Sequence, residues 1–169
     1  MRPLVILESP FASNIPVNTA YARLCIKDSL TRGESPMAAH LLYTQPFILN
    51  DNIPRERKLG MDAGLAWLAV ADRSVVYTDR GISQGMQYGI ETAKKHAVPV
   101  EYRTLPGIDL LYYYPWGNNA KRIQLKGRIF KILARGAKNS ALVEFLDNGQ
   151  REIISRNAIR KLEKNQREQ

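Results

Sequence analysis

The sequence predicts an α/β protein, with a parallel sheet of four to five strands covered by helices on both faces and a small β module after it. Short apolar runs alternate with longer segments in which apolar residues recur three and four positions apart. The runs are continuously apolar, which is typical of buried parallel strands. The net charge of +9 is uneven: residues 121–169 contain 13 Lys and Arg against 5 Asp and Glu. The composition therefore changes near residue 120.

Strand and helix signals alternate along the first hundred residues. Gly33 ends the first helical segment, and Pro54 stands where a helix accepts proline, in its first turn. Repeated strand-helix-strand order predicts a parallel sheet. The predicted elements are strand Leu4–Leu7, helix Asn18–Arg32, strand Pro36–Leu42, a helix from about Arg55 to Ala71, strand Ser74–Thr78, helix Ser83–His96 and strand Val98–Arg103.

The C-terminal third has the pattern of a small antiparallel β module. QLKGRIFKILARG, SALVEFL and QREIIS are three short strand-like runs, and DNG between the last two favours a type I′ hairpin. NAIRKLEKN then predicts a short helix or turn. The predicted divisions are an α/β domain over 1–104, an aromatic linker over 105–120, a basic β module over 121–163 and a tail over 164–169. The module resembles the SH3-like barrels of Tudor and KOW domains.

Polar residues that follow the predicted strands indicate a ligand site. In open parallel α/β sheets, ligands bind beyond the carboxyl ends of the strands. Two glycines and a serine at a helix start permit a close backbone approach, and the helix dipole there favours an anion such as phosphate. A glycine turn of this kind also serves purely as a tight connection. The predicted ligand-binding residues are Ser9, Pro10, Phe11, Asn14, Gly81, Ile82, Ser83, Gly85 and Met86.

Several motifs resemble a known family. ESPFASN, RGESPMAAHLLYTQP, SVVYTDRGISQGM and VPVEYR are similar to a family of uncharacterised bacteriophage and bacterial proteins. That family resembles the nucleoside 2-deoxyribosyltransferase-like superfamily, which includes nucleoside 5'-monophosphate N-glycosidases. The resemblance covers about residues 3–104 and implies a Rossmann-like fold, a phosphate turn at Ser83 and Gly85, and a base and sugar loop at ESPFASN. The two carboxylates of the enzymes would fall at Gly64 and Gly89, so the resemblance supports ligand binding better than catalysis.

Three residues remain as catalytic candidates. Topology places Asp79 and Glu8 at the carboxyl ends of neighbouring strands, where two carboxylates across one cleft would support glycosidic chemistry. His40 would serve as a proton donor or a phosphate contact. Each has a plainer interpretation, since strand-end carboxylates often cap turns and a histidine among apolar residues often only packs.

We therefore expect a protein that binds a nucleotide or phosphorylated nucleoside, with sequestration of that ligand or adjustment of nucleotide pools as its role. One alternative is an N-glycosidase or 2-deoxyribosyltransferase acting on nucleoside 5'-monophosphates. Another is a nucleic-acid-binding adaptor that contacts a phosphate backbone weakly through Lys126, Arg128 and Lys131. The resemblance also implies a homo-oligomer.

Composition excludes several classes of protein. A lone cysteine, Cys25, and two histidines give little material for a disulfide or a zinc site, so we expect no metal and no cofactor. The apolar runs are far shorter than the ~20 residues that span a bilayer. We expect no membrane contact and a cytoplasmic location, which is the host cytoplasm if the protein is phage-encoded.

Overall fold

The computed structural model describes residues 1–163, so the predicted tail over 164–169 lies outside the described residues. The chain divides into two compact units. The first contains Met1–Ala12 and Ala22–Leu105, and the second contains Ser13–Tyr21 and the chain from Pro106 onward. The fold is therefore mixed α/β with two separate sheets. Within residues 1–163, no helix has both the length and the apolarity needed to span a membrane.

The first unit is built on a parallel sheet of four strands in the order β2-β1-β3-β4. Its elements are β1 (Leu4–Glu8), α1 (Ile15–Thr31, shared with the second unit), β2 (Ser35–Met37), α2 (Ala39–Leu42), α3 (Pro54–Ala66), β3 (Arg73–Tyr77), α4 (Gln84–Lys95) and β4 (Val100–Arg103). A short 3-10 helix, Trp67–Ala69, follows α3. The central strands β1 and β3 are apolar and buried, as their continuous apolar runs predicted.

Helices pack on both faces of this sheet. On one face, Val76 of β3 packs against Met86 and Ile90 of α4. On the other face, the hydroxyl of Tyr77 donates to Asp28 Oδ2 of α1 at 2.6 Å. Neighbouring residues of β3 thus serve opposite faces, as the alternation of side chains along a strand requires.

A buried ion pair joins the end of β4 to the residue that precedes β2. Arg103, at the end of β4, donates two hydrogen bonds of 2.7 Å to the carboxylate of Glu34, and both side chains are almost fully buried. This fork holds the pKa of Glu34 below its usual value. Arg103 therefore has a structural role away from the cavity described below.

Two predicted elements of the first unit were wrong in extent. The predicted strand Pro36–Leu42 ends at Met37, and Ala39–Leu42 forms the short helix α2. The helix predicted to reach Ala71 ends as α-helix at Ala66 and tightens into the 3-10 turn. Apolar residues continue through both points, so hydropathy alone does not mark the change of backbone conformation.

The second unit contains an antiparallel sheet of five strands in the order β8-β7-β6-β5-β9. Its elements are β5 (Tyr112–Tyr113), α5 (Ala120–Leu125), β6 (Ile129–Arg135), β7 (Ser140–Phe145), β8 (Arg151–Ser155) and β9 (Arg160–Lys161), with 3-10 turns at Ile108–Leu110 and Arg156–Ala158. Phe130, Val143 and Phe145 are fully buried in its core.

Three features of the second unit differ from the sequence predictions. The predicted linker contributes β5, which pairs with both β6 and β9. The first residues of QLKGRIFKILARG, Gln124 and Leu125, belong to α5 and not to a strand. Within NAIRKLEKN, the predicted turn is present as the end of a 3-10 turn, but strand β9 follows it and was not predicted. The last two residues of this segment, 164 and 165, lie outside the described residues.

Candidate functional site

The first unit contains a cavity of about 270 Å³ beside the carboxyl end of β1. This volume is near the lower end of ligand pockets, roughly 300–1,000 Å³. Side chains from α3 and α4 form two of its walls, and the segment after β1 and α2 complete it. The cavity therefore lies at the edge of the sheet where the topology predicts a ligand.

Glycines spaced four residues apart line the cavity on two sides. Gly60 and Gly64 lie on α3, Gly85 and Gly89 lie on α4, and all four line the cavity. Residues four apart share one helix face, so each helix presents a face without side chains. On α3 the glycines permit tight packing, because a Cβ on Gly64 would lie only 2.6 Å from the Cβ of Ala39.

On α4, the room left at Gly89 is taken by Glu8 of β1. A Cβ on Gly89 would overlap a carboxylate oxygen of Glu8 and lie 2.9 Å from its carboxyl carbon. The Glu8 carboxyl group has no hydrogen-bond or ion-pair partner within residues 1–163. Burial raises the pKa of Glu8 to about 8, because removal from water disfavours the charged form. A carboxyl group thus does reach the position where a side chain at residue 89 would lie, but it comes from strand β1 and not from α4.

His40 lies in the same wall as a neutral side chain. Its Nε2 is 2.9 Å from the hydroxyl oxygen of Ser9, and its ring is 6.0 Å from that of Phe11. Burial lowers the pKa of His40 to about 4. Such a weak base is poorly suited to activate Ser9 as a nucleophile, and a neutral imidazole attracts a phosphate weakly. The Ser9 and His40 contact therefore fixes the segment after β1.

The N-terminus of α4 supplies unused hydrogen-bond donors. Ser83 is the N-cap, and its hydroxyl accepts from the backbone N–H of Met86 at 3.3 Å. Within residues 1–163, the backbone N–H groups of Gln84 and Gly85 have no acceptor. Both residues line the cavity.

Arg57 of α3 lies next to these donors. Its Nη2 is 3.5 Å from the position of a Cβ on Gly85, so the guanidinium group faces the first turn of α4. Its other terminal nitrogen pairs with Asp51. One cation and two backbone N–H groups therefore converge on one end of the cavity.

The structure brings together many of the predicted site residues but not all. The predicted residues in the cavity wall are Glu8, Ser9, Phe11, His40, Ser83, Gly85 and Met86. Within residues 1–163, the wall does not include Pro10, Gly81 or Ile82. Gly81 has φ +80° and closes a turn by donating to the carbonyl of Thr78 at 2.8 Å. Asn14 belongs to the second unit, where its carbonyl accepts from the N–H of Asn18.

Asp79 has a structural position. Both carboxylate oxygens accept from the backbone N–H of Leu105, at 3.2 and 3.1 Å, and the side chain is buried. The described cavity wall does not include Asp79. Of the two predicted acids, Glu8 is therefore the one that faces the cavity.

The three residues predicted to contact nucleic acid lie in the second unit, and they differ in whether their charged groups are already hydrogen-bonded within the protein. Arg128 donates to Asp147, Asn148 and Gln150, and its guanidinium group lies 4.1 Å from the centre of the Phe145 ring. These bonds commit Arg128 to the β7–β8 turn. Lys126 and Lys131 are exposed.

The sequence allows Arg55 and Arg57, in the charged first turn of a helix, to reach a phosphate, although such residues more often face solvent. The structure includes Arg57, and not Arg55, in the described cavity wall. The contact between Glu8 and Gly89 was missed, and the four-residue spacing of the glycines in α3 and α4 was the available signal. No group of three or more His, Cys, Asp or Glu residues that would hold a metal ion occurs in the described part of the chain.

The unpartnered carboxyl group of Glu8 predicts a pH-dependent gain of stability on Glu8→Gln. The folded-state pKa, about 8, is above the ordinary value of 4.5. The folded state therefore holds a proton that the unfolded state loses, and stability falls as pH rises from about 4.5 to about 8. Glu8→Gln removes this loss, so we expect its Tm to exceed that of the wild type by about 2–4 °C or more at pH 8.5. At pH 5, only half a unit above the ordinary pKa of 4.5, the difference should be several-fold smaller than at pH 8.5, as measured by thermal unfolding.

The matched control is Glu91→Gln, on the exposed side of α4. His40 titrates in both proteins and cancels in the comparison. A Tm difference for Glu8→Gln that is the same at pH 5 and pH 8.5 would contradict the placement of Glu8.

Comparisons with known proteins place the first unit in a family. A search of curated proteins found no match. Residues 3–103, more than half of the chain, match the profile of a domain of unknown function, DUF7768. The matched range contains β1–β4, α1–α4 and every residue of the cavity wall. The chain therefore belongs to the DUF7768 family.

Proposed function

We propose that the cavity binds a nucleotide or another phosphorylated nucleoside, with the phosphate at the N-terminus of α4. The observation that carries this proposal is the pair of free backbone N–H groups, at Gln84 and Gly85, beside the guanidinium group of Arg57. The positive end of the helix dipole and a guanidinium group both favour an anion. Gly85 has no side chain to block the approach.

The rest of the cavity suits an uncharged, partly apolar group. Phe11, Met61, Leu65 and Met86 line it, and Glu8 lies against Gly89, one helical turn along α4 from Gly85. Gly85 and Gly89 are separated by about 6 Å along α4, at 1.5 Å per residue. This distance leaves room for a sugar between the phosphate and a base that contacts Glu8.

The strand order supports the finer description of the fold. We propose that the first unit is Rossmann-like and of the deoxyribosyltransferase-like type. The order β2-β1-β3-β4 has its switch point between β1 and β3, where doubly wound sheets bind ligands.

For the second unit we propose an SH3-like barrel, since its five strands are short and antiparallel and β6 is irregular between Ile132 and Ala134. A protein that binds a nucleotide without converting it would act by sequestering that nucleotide or by adjusting nucleotide pools, and we propose this role.

Calorimetric titration with a nucleoside and with its 5'-monophosphate tests the proposal. The wild type should bind the monophosphate at least tenfold more tightly than the nucleoside. Arg57→Ala should weaken the monophosphate by about 10- to 100-fold, the equivalent of a charged hydrogen bond of ~1.5–3 kcal/mol, and change the nucleoside little.

Arg55→Ala is the matched control, because Arg55 is an exposed arginine of the same first turn that does not line the described cavity wall. It should leave both affinities unchanged. Equal loss in the two variants, or equal binding of nucleoside and monophosphate, would contradict a phosphate site at α4.

A second candidate function is hydrolysis of the bond between base and sugar in a nucleoside 5'-monophosphate. The specific observation in its favour is that Glu8 fills the space of a side chain at residue 89, where the resemblance implies a carboxylate. In this reaction water would replace the base at the anomeric carbon, giving the free base and the sugar 5-phosphate. An ionised Glu8 would stabilise the positive charge that develops on the sugar.

The hydrolase predicts a pH profile of its own. Since burial raises the pKa of Glu8 to about 8, the ionised form increases as pH rises to that value. Release of base from 5'-monophosphates, followed by mass spectrometry, should then increase about tenfold from pH 7 to pH 9 and be abolished in Glu8→Gln. No base release at any pH between 6 and 9 would exclude the hydrolase and leave the binding function.

A further inference from the structure

We propose that the second unit binds single-stranded nucleic acid at Trp116, Arg122 and Lys126, with phosphates on the two cations and a base stacked on the guanidinium group of Arg122. The described cavity wall of the first unit includes none of these residues, so the inference goes beyond the function proposed above and does not depend on it. The sequence indicated Lys126 for such a contact, and the structure adds the other two residues.

Two cations converge on the segment between β5 and α5. The guanidinium carbon of Arg122 lies 4.7 Å from the centre of the Trp116 ring. The side chain of Lys126 crosses the next residue, Gly117, where a Cβ would lie only 2.8 Å from Lys126 Cδ. Arg122 and Lys126 are also four residues apart, on one face of α5 and its C-cap. The two charges therefore lie side by side over consecutive residues of one segment.

The guanidinium group of Arg122 is held in place without being neutralised. Its Nη1 donates to the amide oxygen of Asn118 at 2.7 Å, and the indole ring supports its plane. Within residues 1–163, no acid pairs with it. Arg128 shows the contrast, because it also lies over an aromatic ring but pairs with Asp147. Of these two arginines, Arg122 is the one with charge and donors left for an anion.

Lys126 also has its charge available. It is exposed, and its ammonium group forms no hydrogen bond or ion pair in the described part of the chain. The acids on or between strands β7 and β8 are already paired with other cations; the pairs are Glu144 with Arg151, Asp147 with Arg128, and Glu152 with Lys121. Residues 106–163 contain 11 Lys and Arg against 5 Asp and Glu. This excess of positive charge favours an anionic partner.

A nucleic-acid strand matches both components of the site. Its phosphates repeat along the backbone, which suits two adjacent cations, and a guanidinium group can bind a phosphate through two parallel hydrogen bonds. The face of the guanidinium group that points away from the indole suits a planar base, because unpaired bases stack on aromatic rings and on arginine. The carboxylates of an acidic peptide would meet the cations but supply no planar group. A duplex keeps its bases stacked on one another, so the site favours a single strand.

The test is fluorescence anisotropy of the full chain with a labelled single-stranded oligonucleotide of mixed sequence and no terminal phosphate. At about 50 mM salt, Arg122→Ala and Lys126→Ala should each weaken binding about fivefold or more. Each should also reduce the slope of log K against log salt concentration by about 0.7, the contribution of one phosphate contact on a single strand.

Lys121→Ala is the matched control. Lys121 belongs to α5 as Arg122 does, but its charge is paired with Glu152. The control removes the same charge from the same helix and should bind the oligonucleotide like the wild type. Equal losses in Arg122→Ala and Lys121→Ala would overturn the inference, because the charge of the unit alone would then explain binding.

Stacking has its own readouts. An abasic sugar-phosphate oligomer of the same length should bind the wild type about fivefold or more weakly than the oligonucleotide, since it lacks the stacked base. Trp67→Phe leaves Trp116 as the single tryptophan, and its emission should change with the oligonucleotide and not with the abasic oligomer. Equal affinity for the oligonucleotide and for the abasic oligomer, poly-glutamate or a duplex would contradict a single-strand site.

The two proposals fail separately. Arg57→Ala should leave the affinity for the oligonucleotide unchanged, because this probe has no terminal phosphate for the site at α4. A loss in Arg57→Ala with none in Arg122→Ala would assign the oligonucleotide to the cavity of the first unit and overturn the inference. If the protein does not bind the oligonucleotide at all, the inference is wrong, and the nucleotide titrations still decide the function of the cavity.

Discussion

The contact between Glu8 and the glycine face of α4 is the constraint on which the site depends. β1 ends in a carboxyl group that faces α4, and Gly89 is the residue that leaves room for it. Any side chain at position 89 would displace the carboxyl group from the cavity wall. The identity of residue 89 and the position of Glu8 are therefore linked, although the two residues lie far apart in the sequence.

This contact is unfavourable for folding and informative about function. Placing a carboxyl group where no donor or cation meets it raises its pKa and lowers the stability of the folded state at neutral pH. An apolar residue at position 8 would avoid that loss. Perturbed acids in cavities are typical of functional sites, and a ligand that hydrogen-bonds to Glu8 would recover the lost interaction.

The cavity separates charge along α4. At one end, Arg57 and the first turn of α4 favour an anion, while at the other end Glu8 and His40 favour uncharged polar groups. A phosphorylated nucleoside has the same division between its phosphate and its base. The alternative reaction would use the same arrangement but requires the ionised form of Glu8, so hydrolysis alone depends on a pH high enough to ionise Glu8.

Much of the fold could be predicted from the sequence, because continuous apolar runs such as those at β1 and β3, alternating with helical segments, are typical of strands in a covered parallel sheet. The end of the sheet that carries the cavity followed from topology, and the N-cap Ser83 followed from a serine at a predicted helix start. The extents of β2 and α3 could not be predicted, since apolar residues continue past the points where the backbone changes. Strand β5 was missed because its pairing with β6 and β9 is a tertiary contact. The sequence could not choose between Arg55 and Arg57 as the arginine near the cavity, because the position of Arg57 beside Gly85 depends on the packing of α3 against α4.

The most direct measurement of the central claim is the titration of the Glu8 carboxyl carbon by NMR, with the signal assigned by its loss in Glu8→Gln. The account predicts a midpoint at a pH of about 8 in the ligand-free protein. A midpoint near the ordinary value of 4.5 would contradict it, because the carboxyl group would then be solvated or paired.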